Sequence, residues 1–225
     1  MKLKIPATDL PPTPSKATVL PRRSLIHIPI IHTQADMGAL SQPIKAMTIQ
    51  KLGQEKWERN VSLIDAFWTH IEKAVDGWPF PYDKLRLYQD GLPVCGREVE
   101  IVTELAKAGS RNHRLLLCLM ERGATLMGTE SAALLVQEYK LVKRILDVPN
   151  SQKALELEAR YQAASQALLI QRDQAIAERI SSTLGLEETG LLFLGMLHSL
   201  ENWLAKDIRV THPLFPPSLP ETQQE

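Results

Sequence analysis

The 225-residue chain has little cysteine, no long apolar run and no net charge. Its two cysteines, Cys95 and Cys118, are too few for a disulfide framework and lack the spacing of a metal knuckle. No apolar run approaches the roughly 20 residues that a membrane-spanning helix needs. Prolines from Pro6 onward interrupt the N-terminal region, so it lacks the apolar core of a secretory signal. These absences predict a cytoplasmic protein without a membrane partner.

Charge and motif content narrow the function classes. The 26 basic residues equal the 26 acidic residues in number. We therefore expect no surface that binds nucleic acid through concentrated Lys and Arg. The chain has no Gly-x-Ser-x-Gly elbow, no phosphate-cradling glycine loop and no dinucleotide fingerprint, so we expect no nucleotide cofactor. Cys95 precedes a predicted helix without an oxyanion-loop signature, which favours a packing role over catalysis.

Length and composition indicate one α/β domain, because 44% of the residues are hydrophobic and 23% are charged. Proline-rich segments flank this domain. We predict a flexible arm over residues 1–22 and a tail over residues 213–225, because both segments contain several prolines and few large apolar side chains. Residues 23–212 are then the folded domain.

Short apolar segments alternate with amphipathic ones along this domain. The predicted strands are residues 25–31, 85–88, 191–194 and 208–210. The predicted helices are residues 55–75, 97–108, 110–121 and 131–146, and a long helix from the break at Pro149 to about residue 184. This order favours a helix-rich α/β domain with a small, mostly parallel or mixed sheet flanked by helices. A mainly helical protein with a small hairpin is the alternative.

Apolar spacing predicts which helix faces are buried. In the helix over 55–75, Val61 and Trp68 belong to one stripe at spacings of three and four. In the helix over 97–108, Val99 and Val102 are expected to point inward. Ser110 is the expected N-cap of the following helix.

His32 and His198 each end an apolar, strand-like run. The carboxyl end of a strand is where α/β proteins place ligand-binding and catalytic groups. Histidine serves there as a general base or as a metal ligand. With a carboxylate such as Asp36, the two histidines form a plausible ligand set for a divalent metal ion. The alternative is that each histidine is a hydrogen-bonded packing residue.

Arg172 is predicted near the core face of its helix, since it lies four residues before Ile176. A buried guanidinium needs a partner, because burying an unpaired charge is very costly. In one interpretation Arg172 reaches a carboxylate or a substrate oxyanion beside His198. In the other it forms a surface ion pair with a neighbour such as Glu178.

Three further polar residues stand next to predicted element ends. Gln89 and Asp90 follow a strand and could share the sheet edge with the histidines, although an ordinary turn explains them as well. Glu130 begins a helix, where the dipole and the free amides favour a capping carboxylate. The remaining histidines are expected to be structural; they are His27, His70, His113 and His212.

Two of these segments together resemble a known family. Arg172 and Asp173 lie on a helix that precedes a strand ending in Gly195-Met196-Leu197-His198. This arrangement resembles the C-terminal motif pair of the TraB/Tiki group in the erythromycin-esterase-like superfamily. The family's earlier Gly-x-x-His motif would be Pro29-Ile30-Ile31-His32, with proline in place of glycine, and Gln171 stands where glutamate is usual. About 30 residues carry the resemblance well.

The resemblance implies an α/β fold with the two histidines on neighbouring strand ends and, in some members, metal-dependent hydrolysis. By position, His32 and His198 would be metal ligands or bases. Arg172 would be an anchor or a stabiliser of the transition state.

Two hypotheses of function follow. In the first, the protein is a hydrolase in which a divalent metal ion lowers the pKa of bound water for attack on an ester or amide bond. Its substrate would be a small molecule or a peptide, and a homo-oligomer is left open. In the second, it is a non-catalytic interaction or regulatory protein whose proline-rich ends act as docking segments.

Overall fold

A computed structural model describes residues 23–146 and 154–213, excepting the side chains of residues 154–159. The predicted arm over residues 1–22 and the predicted tail beyond residue 213 lie outside the described residues. None of the helices in the described segments is long and apolar enough to cross a bilayer.

The described chain forms a five-stranded parallel sheet with helices on both faces, which confirms the helix-rich α/β prediction. The strands are β1 (Arg23–Ile30), β2 (Leu85–Gln89), β3 (Thr125–Met127), β4 (Thr189–Gly195) and β5 (Ile208–Thr211). The helices are α1 (Ser41–Leu52), α2 (Gln54–Asp76), α3 (Glu98–Lys107), α4 (Arg111–Glu121), α5 (Ala132–Leu146) and α6 (Ala154–Thr183). Three single-turn 3₁₀ helices precede α1 and β2.

The strand order is β3-β2-β4-β1-β5, so β4 lies at the centre of the sheet. Its run from Leu191 to Leu194 is buried throughout, as expected of a parallel strand covered on both faces. Leu191 and Phe193 face a core formed with α2, α3 and α4, which includes Trp68 and Leu116. The alternate residues of β4 face a second core, formed largely with α6.

Pro29 lies inside β1, where proline removes a ladder donor. The neighbouring strand β5 pairs with β1 only from Arg23 to Ile26. At Pro29, β1 pairs with β4 on its other side. At Pro29, β1 therefore has a neighbouring strand on one side only. The missing backbone N–H is tolerated there as it would be in an edge strand.

Two helix faces differ from their predictions. Val61 in α2 is 43% exposed and Val99 in α3 is 53% exposed, although both were expected to be inward. In α2 only the C-terminal half, from Phe67 onward, contributes buried residues. In α3 the buried pair is Val102 and Ala106, at a spacing of four. Helix α1 and the three-residue strand β3 were not predicted.

Candidate active site

The site lies at the carboxyl edge of the sheet. Because the strands are parallel, the residues that follow β1, β2, β3 and β4 meet at this one edge. His32 follows β1, Asp90 follows β2, Glu130 follows β3 and His198 follows β4. Strands β1 and β4 are neighbours. The structure therefore brings His32 and His198 together, as the sequence predicted.

Asp90 is the centre of this cluster. Its Oδ2 lies 3.2 Å from His32 Nε2 and 3.8 Å from His198 Nε2. The same oxygen accepts a hydrogen bond of 2.9 Å from the backbone N–H of Gly195. Asp90 lies in the turn after β2, as one interpretation held, but its buried carboxylate also joins the ends of three strands.

Gly195 has a steric role in this arrangement. A Cβ atom at this position would meet Asp90 Oδ2 at 2.9 Å, so a larger residue would displace the carboxylate. The N–H of His198 then bonds the Gly195 carbonyl at 3.1 Å, which closes a tight turn and returns the imidazole over the strand end. The Gly-x-x-His spacing thus has a physical cause in close approach followed by a turn.

Arg172 projects from α6 into the cluster and its side chain is 6% exposed. Its Nε and Nη2 donate to both carboxylate oxygens of Glu130, at 2.7 and 2.6 Å. Nη2 also donates to Asp90 Oδ1 at 2.8 Å, and Nη1 donates to Glu138 at 2.5 Å. The alternative of a surface pair with Glu178 is wrong. With four donors directed at carboxylates, Arg172 acts chiefly by positioning Asp90 and Glu130.

Glu130 is not a helix cap, contrary to the prediction. Its Oε1 accepts from the backbone N–H of Gly91 at 2.7 Å, in addition to the bonds from Arg172. Burial raises the pKa of Glu130 above its ordinary value, and the hydrogen bond and charge of Arg172 oppose that rise. Glu130 therefore ties the end of β3 to the turn that follows β2.

Asp173, next to Arg172 in α6, holds the second histidine. Its Oδ1 lies 2.5 Å from His198 Nδ1, and its Oδ2 accepts from the N–H of Ser199 at 3.0 Å. Since an ionised carboxylate only accepts, Nδ1 carries the proton and Nε2 is left facing the cluster. No site role was predicted for Asp173, although its place beside Arg172 in the family-like motif was a usable signal.

The two histidines differ in exposure, and Asp90 perturbs the pKa of His32. Burial lowers the pKa of His32, but the hydrogen bond and the charge of Asp90 outweigh it and leave the pKa above its ordinary value. Burial raises the pKa of Asp90, yet His32, His198 and Arg172 together bring it well below its usual range. The His32 side chain is 40% exposed and that of His198 is 4% exposed. The site therefore opens to solvent at His32.

The predicted metal ligand Asp36 does not join the two histidines. Its Oδ2 accepts from the N–H and the hydroxyl of Thr33, at 2.6 and 2.8 Å. Its Oδ1 accepts from the Ser110 hydroxyl and lies 3.4 Å from His113 Nδ1. The structure therefore does not gather the predicted set of His32, His198 and Asp36 around one point. Across residues 23–146 and 154–213, no three His, Cys, Asp or Glu side chains are arranged around one such ion.

Asp36 instead contributes to stability. Ser110 is the N-cap of α4, as predicted, and accepts from the N–H of His113 at 3.2 Å. Burial raises the pKa of Asp36, but hydrogen bonds from His113, Ser110 and Thr33 outweigh it and lower the pKa to about 2. The ionised carboxylate thus fixes the loop after β1 to the start of α4.

Asp36→Asn should cost about 2 kcal/mol of unfolding free energy near neutral pH, and this cost should disappear in acid. The folded-state pKa of Asp36 is depressed, so its contribution is complete above about pH 4 and is lost as the pH falls towards 2. Urea unfolding of both proteins across this range measures the difference. A difference in unfolding free energy that stays constant as the pH falls towards 2 would show that the charge of Asp36 is not responsible.

The fold and this site define a class: a helix-rich α/β domain with a buried charged cluster at the carboxyl edge of its sheet. A scan against protein-family models, a search of curated proteins and a search of solved structures return no match. Arguments about function therefore depend on the geometry of the cluster.

Proposed function

We propose that this protein is a hydrolase of ester or amide bonds in which His198 acts as the general base. The observation that carries the proposal is the bond between Asp173 and His198 Nδ1. A carboxylate on Nδ1 fixes the tautomer and the orientation of the ring, so that the unprotonated Nε2 is the atom that faces the cluster. The resemblance to the TraB/Tiki group favours the same reaction class.

His32 is suited to the complementary role of general acid. Asp90 favours its protonated form, and its partly exposed ring lies where the site opens. In the proposed reaction His198 removes a proton from water, the resulting hydroxide attacks the carbonyl carbon, and the leaving group takes a proton from His32. The carbonyl–oxygen or carbonyl–nitrogen bond then breaks, which yields an acid and an alcohol or amine.

The charges around the cluster favour an uncharged substrate. The carboxylates of Asp90, Glu130 and Glu138 surround one guanidinium, that of Arg172, and a fourth carboxylate, Asp173, lies against His198. The negative excess stabilises an imidazolium and repels anions. A neutral small ester or an uncharged peptide fits this field better than a phosphorylated or carboxylated substrate.

Neutral p-nitrophenyl and alkyl esters and simple anilides serve as test substrates. His198→Gln and Asp173→Asn should each lower kcat/KM by a factor of about 10² to 10⁴, because a base and its orienting carboxylate act as a unit. His70→Gln is the matched control, since His70 is exposed on α2, and it should leave the rate unchanged. Thermal unfolding of each variant checks that the fold is retained.

The second candidate is a non-catalytic protein that uses the same cluster to hold its strand ends. The saturation of Arg172 by three carboxylates and the burial of His198 favour it. Rates for the wild type no greater than those of His198→Gln, on every substrate, would reject the hydrolase and leave this candidate.

A further inference from the structure

A cavity lies on the α6 face of the sheet, against the segment that joins β4 to β5. Leu25, Leu192 and Val210 line it from three adjacent strands. Leu200 and Leu204 line it from the joining segment, where the Leu204 N–H donates to the carbonyl of Leu200 at 3.2 Å and forms a helical turn. Half of the ten lining residues are therefore leucine or valine, and they form an apolar interior.

The volume of this cavity is about 100 Å³. Because apolar cavities of about 150 Å³ bind benzene, this one has room for an apolar group of about three to five carbon atoms. His212 and Glu201 also line it, and their side chains are 46% and 67% exposed, so they mark its open side. A small molecule can therefore enter without displacing the core.

His27 gives the cavity wall a polar group that has room for a partner. It lies opposite Leu192 in the pairing of β1 with β4. Its Nε2 is shielded from solvent and has no hydrogen-bond partner among the described residues, a condition that native structures rarely leave uncompensated. The other enclosed imidazole, that of His198, already bonds Asp173 through Nδ1. A ligand in the cavity would therefore bond His27.

The walls favour an uncharged ligand. Burial lowers the pKa of His27, so its imidazole is neutral near pH 7. The Glu201 carboxylate stands at the open side and bonds His212, which leaves the leucines and Val210 to face a charge that has lost its hydration. A buried water needs two to four polar partners, more than the apolar interior offers. A short alkyl group with one hydroxyl suits both the apolar walls and the imidazole.

We propose that this cavity is a binding site for small uncharged alcohols, whose alkyl group packs against the leucines and Val210 and whose hydroxyl bonds His27. The imidazole of His198 forms part of the same wall, so its NMR signals report occupancy. Binding does not require the proposed hydrolysis. Either proposal can fail without the other, because no rate enters the binding measurement.

Titration of the full chain with ethanol, propan-1-ol, butan-1-ol and hexan-1-ol tests the site, with the methyl NMR signals of the lining leucines as the readout. We expect saturable shifts at alcohol concentrations that leave the protein folded. Affinity should rise about fourfold for each added CH₂ while the alkyl group fits the cavity. It should stop rising by hexan-1-ol, whose chain exceeds the volume available.

Two variants test the walls. Val210→Phe fills the cavity from the half-buried strand β5 and should weaken butan-1-ol binding by about tenfold or more, because it takes the space of the alkyl group. Val136→Phe makes the same change on α5, where Val136 is 51% exposed, and should bind like the wild type. His27→Leu should weaken butan-1-ol binding by about 2- to 12-fold, the worth of one hydrogen bond, and leave xenon binding unchanged.

Three results would overturn the proposal. The first is shifts that grow linearly without saturating, or no shifts at all. The second is equal binding by Val210→Phe and Val136→Phe. The third is saturable shifts confined to His32 and Gly195, which would place the alcohol at the candidate active site. If Val210→Phe does not fold, Leu204→Phe fills the cavity from the opposite wall and replaces it in the comparison.

Discussion

Arg172→Leu should lower the free energy of unfolding by about 3–5 kcal/mol, because it removes one partner of a buried charge network. Asp90 and Glu130 would remain in the interior without the guanidinium that bonds them both. Leucine replaces the volume of the stem but none of the four hydrogen bonds. Urea unfolding near neutral pH, with wild type and variant measured together, gives the difference.

Arg59→Leu is the matched control. Arg59 is 68% exposed and pairs with Glu55 one turn away on α2, so the same change should cost no more than about 1 kcal/mol. The loss of unfolding free energy for Arg172→Lys should lie between those of Arg172→Leu and Arg59→Leu. Lysine keeps the charge but loses the planar fork that bonds Glu130. Equal losses for Arg172→Leu and Arg59→Leu would contradict the buried network.

Trp68→Ala should also cost about 3–5 kcal/mol, for a different reason. Trp68 is fully buried on α2 against the central strands, and its indole N–H donates to the carbonyl of Ile31 at 3.1 Å. Truncation leaves a cavity and an unpaired carbonyl directly before His32. Chemical unfolding measures the loss, and the NMR signals of His32 should shift in the folded variant.

Trp203→Ala separates this effect from the general cost of removing an indole. Trp203 is 49% exposed in the segment between β4 and β5, so its truncation should cost no more than about 1 kcal/mol. Trp68→Phe should retain most of the packing and lose the bond to Ile31. Similar costs for Trp68→Ala and Trp203→Ala would mean that α2 does not dock on the sheet through Trp68.

The local sequence pattern was sufficient to predict most of the secondary structure. The apolar run in β4 and the N-cap at Ser110 are signals that depend on neighbouring residues alone, and both are confirmed. The exposure of Val61 and Val99 could not be predicted in this way. A stripe of apolar residues identifies one helix face, but the extent of the sheet beneath it decides how much of that face is covered.

In the candidate site, too, some residues could be predicted from local sequence and others could not. His32 and His198 were identifiable because each follows an apolar strand, and the sequence by itself indicated that both lie at strand ends. Asp90 and Glu130 also follow strands. The local sequence around Asp90 is typical of a turn and that around Glu130 of a helix cap, so neither residue had to belong to a site. Their roles depend on the strand order, which places β2 beside β4 and β3 beside β2. Only the tertiary structure decided that these carboxylates meet Arg172, because contacts across 42 and 82 residues have no trace in local periodicity.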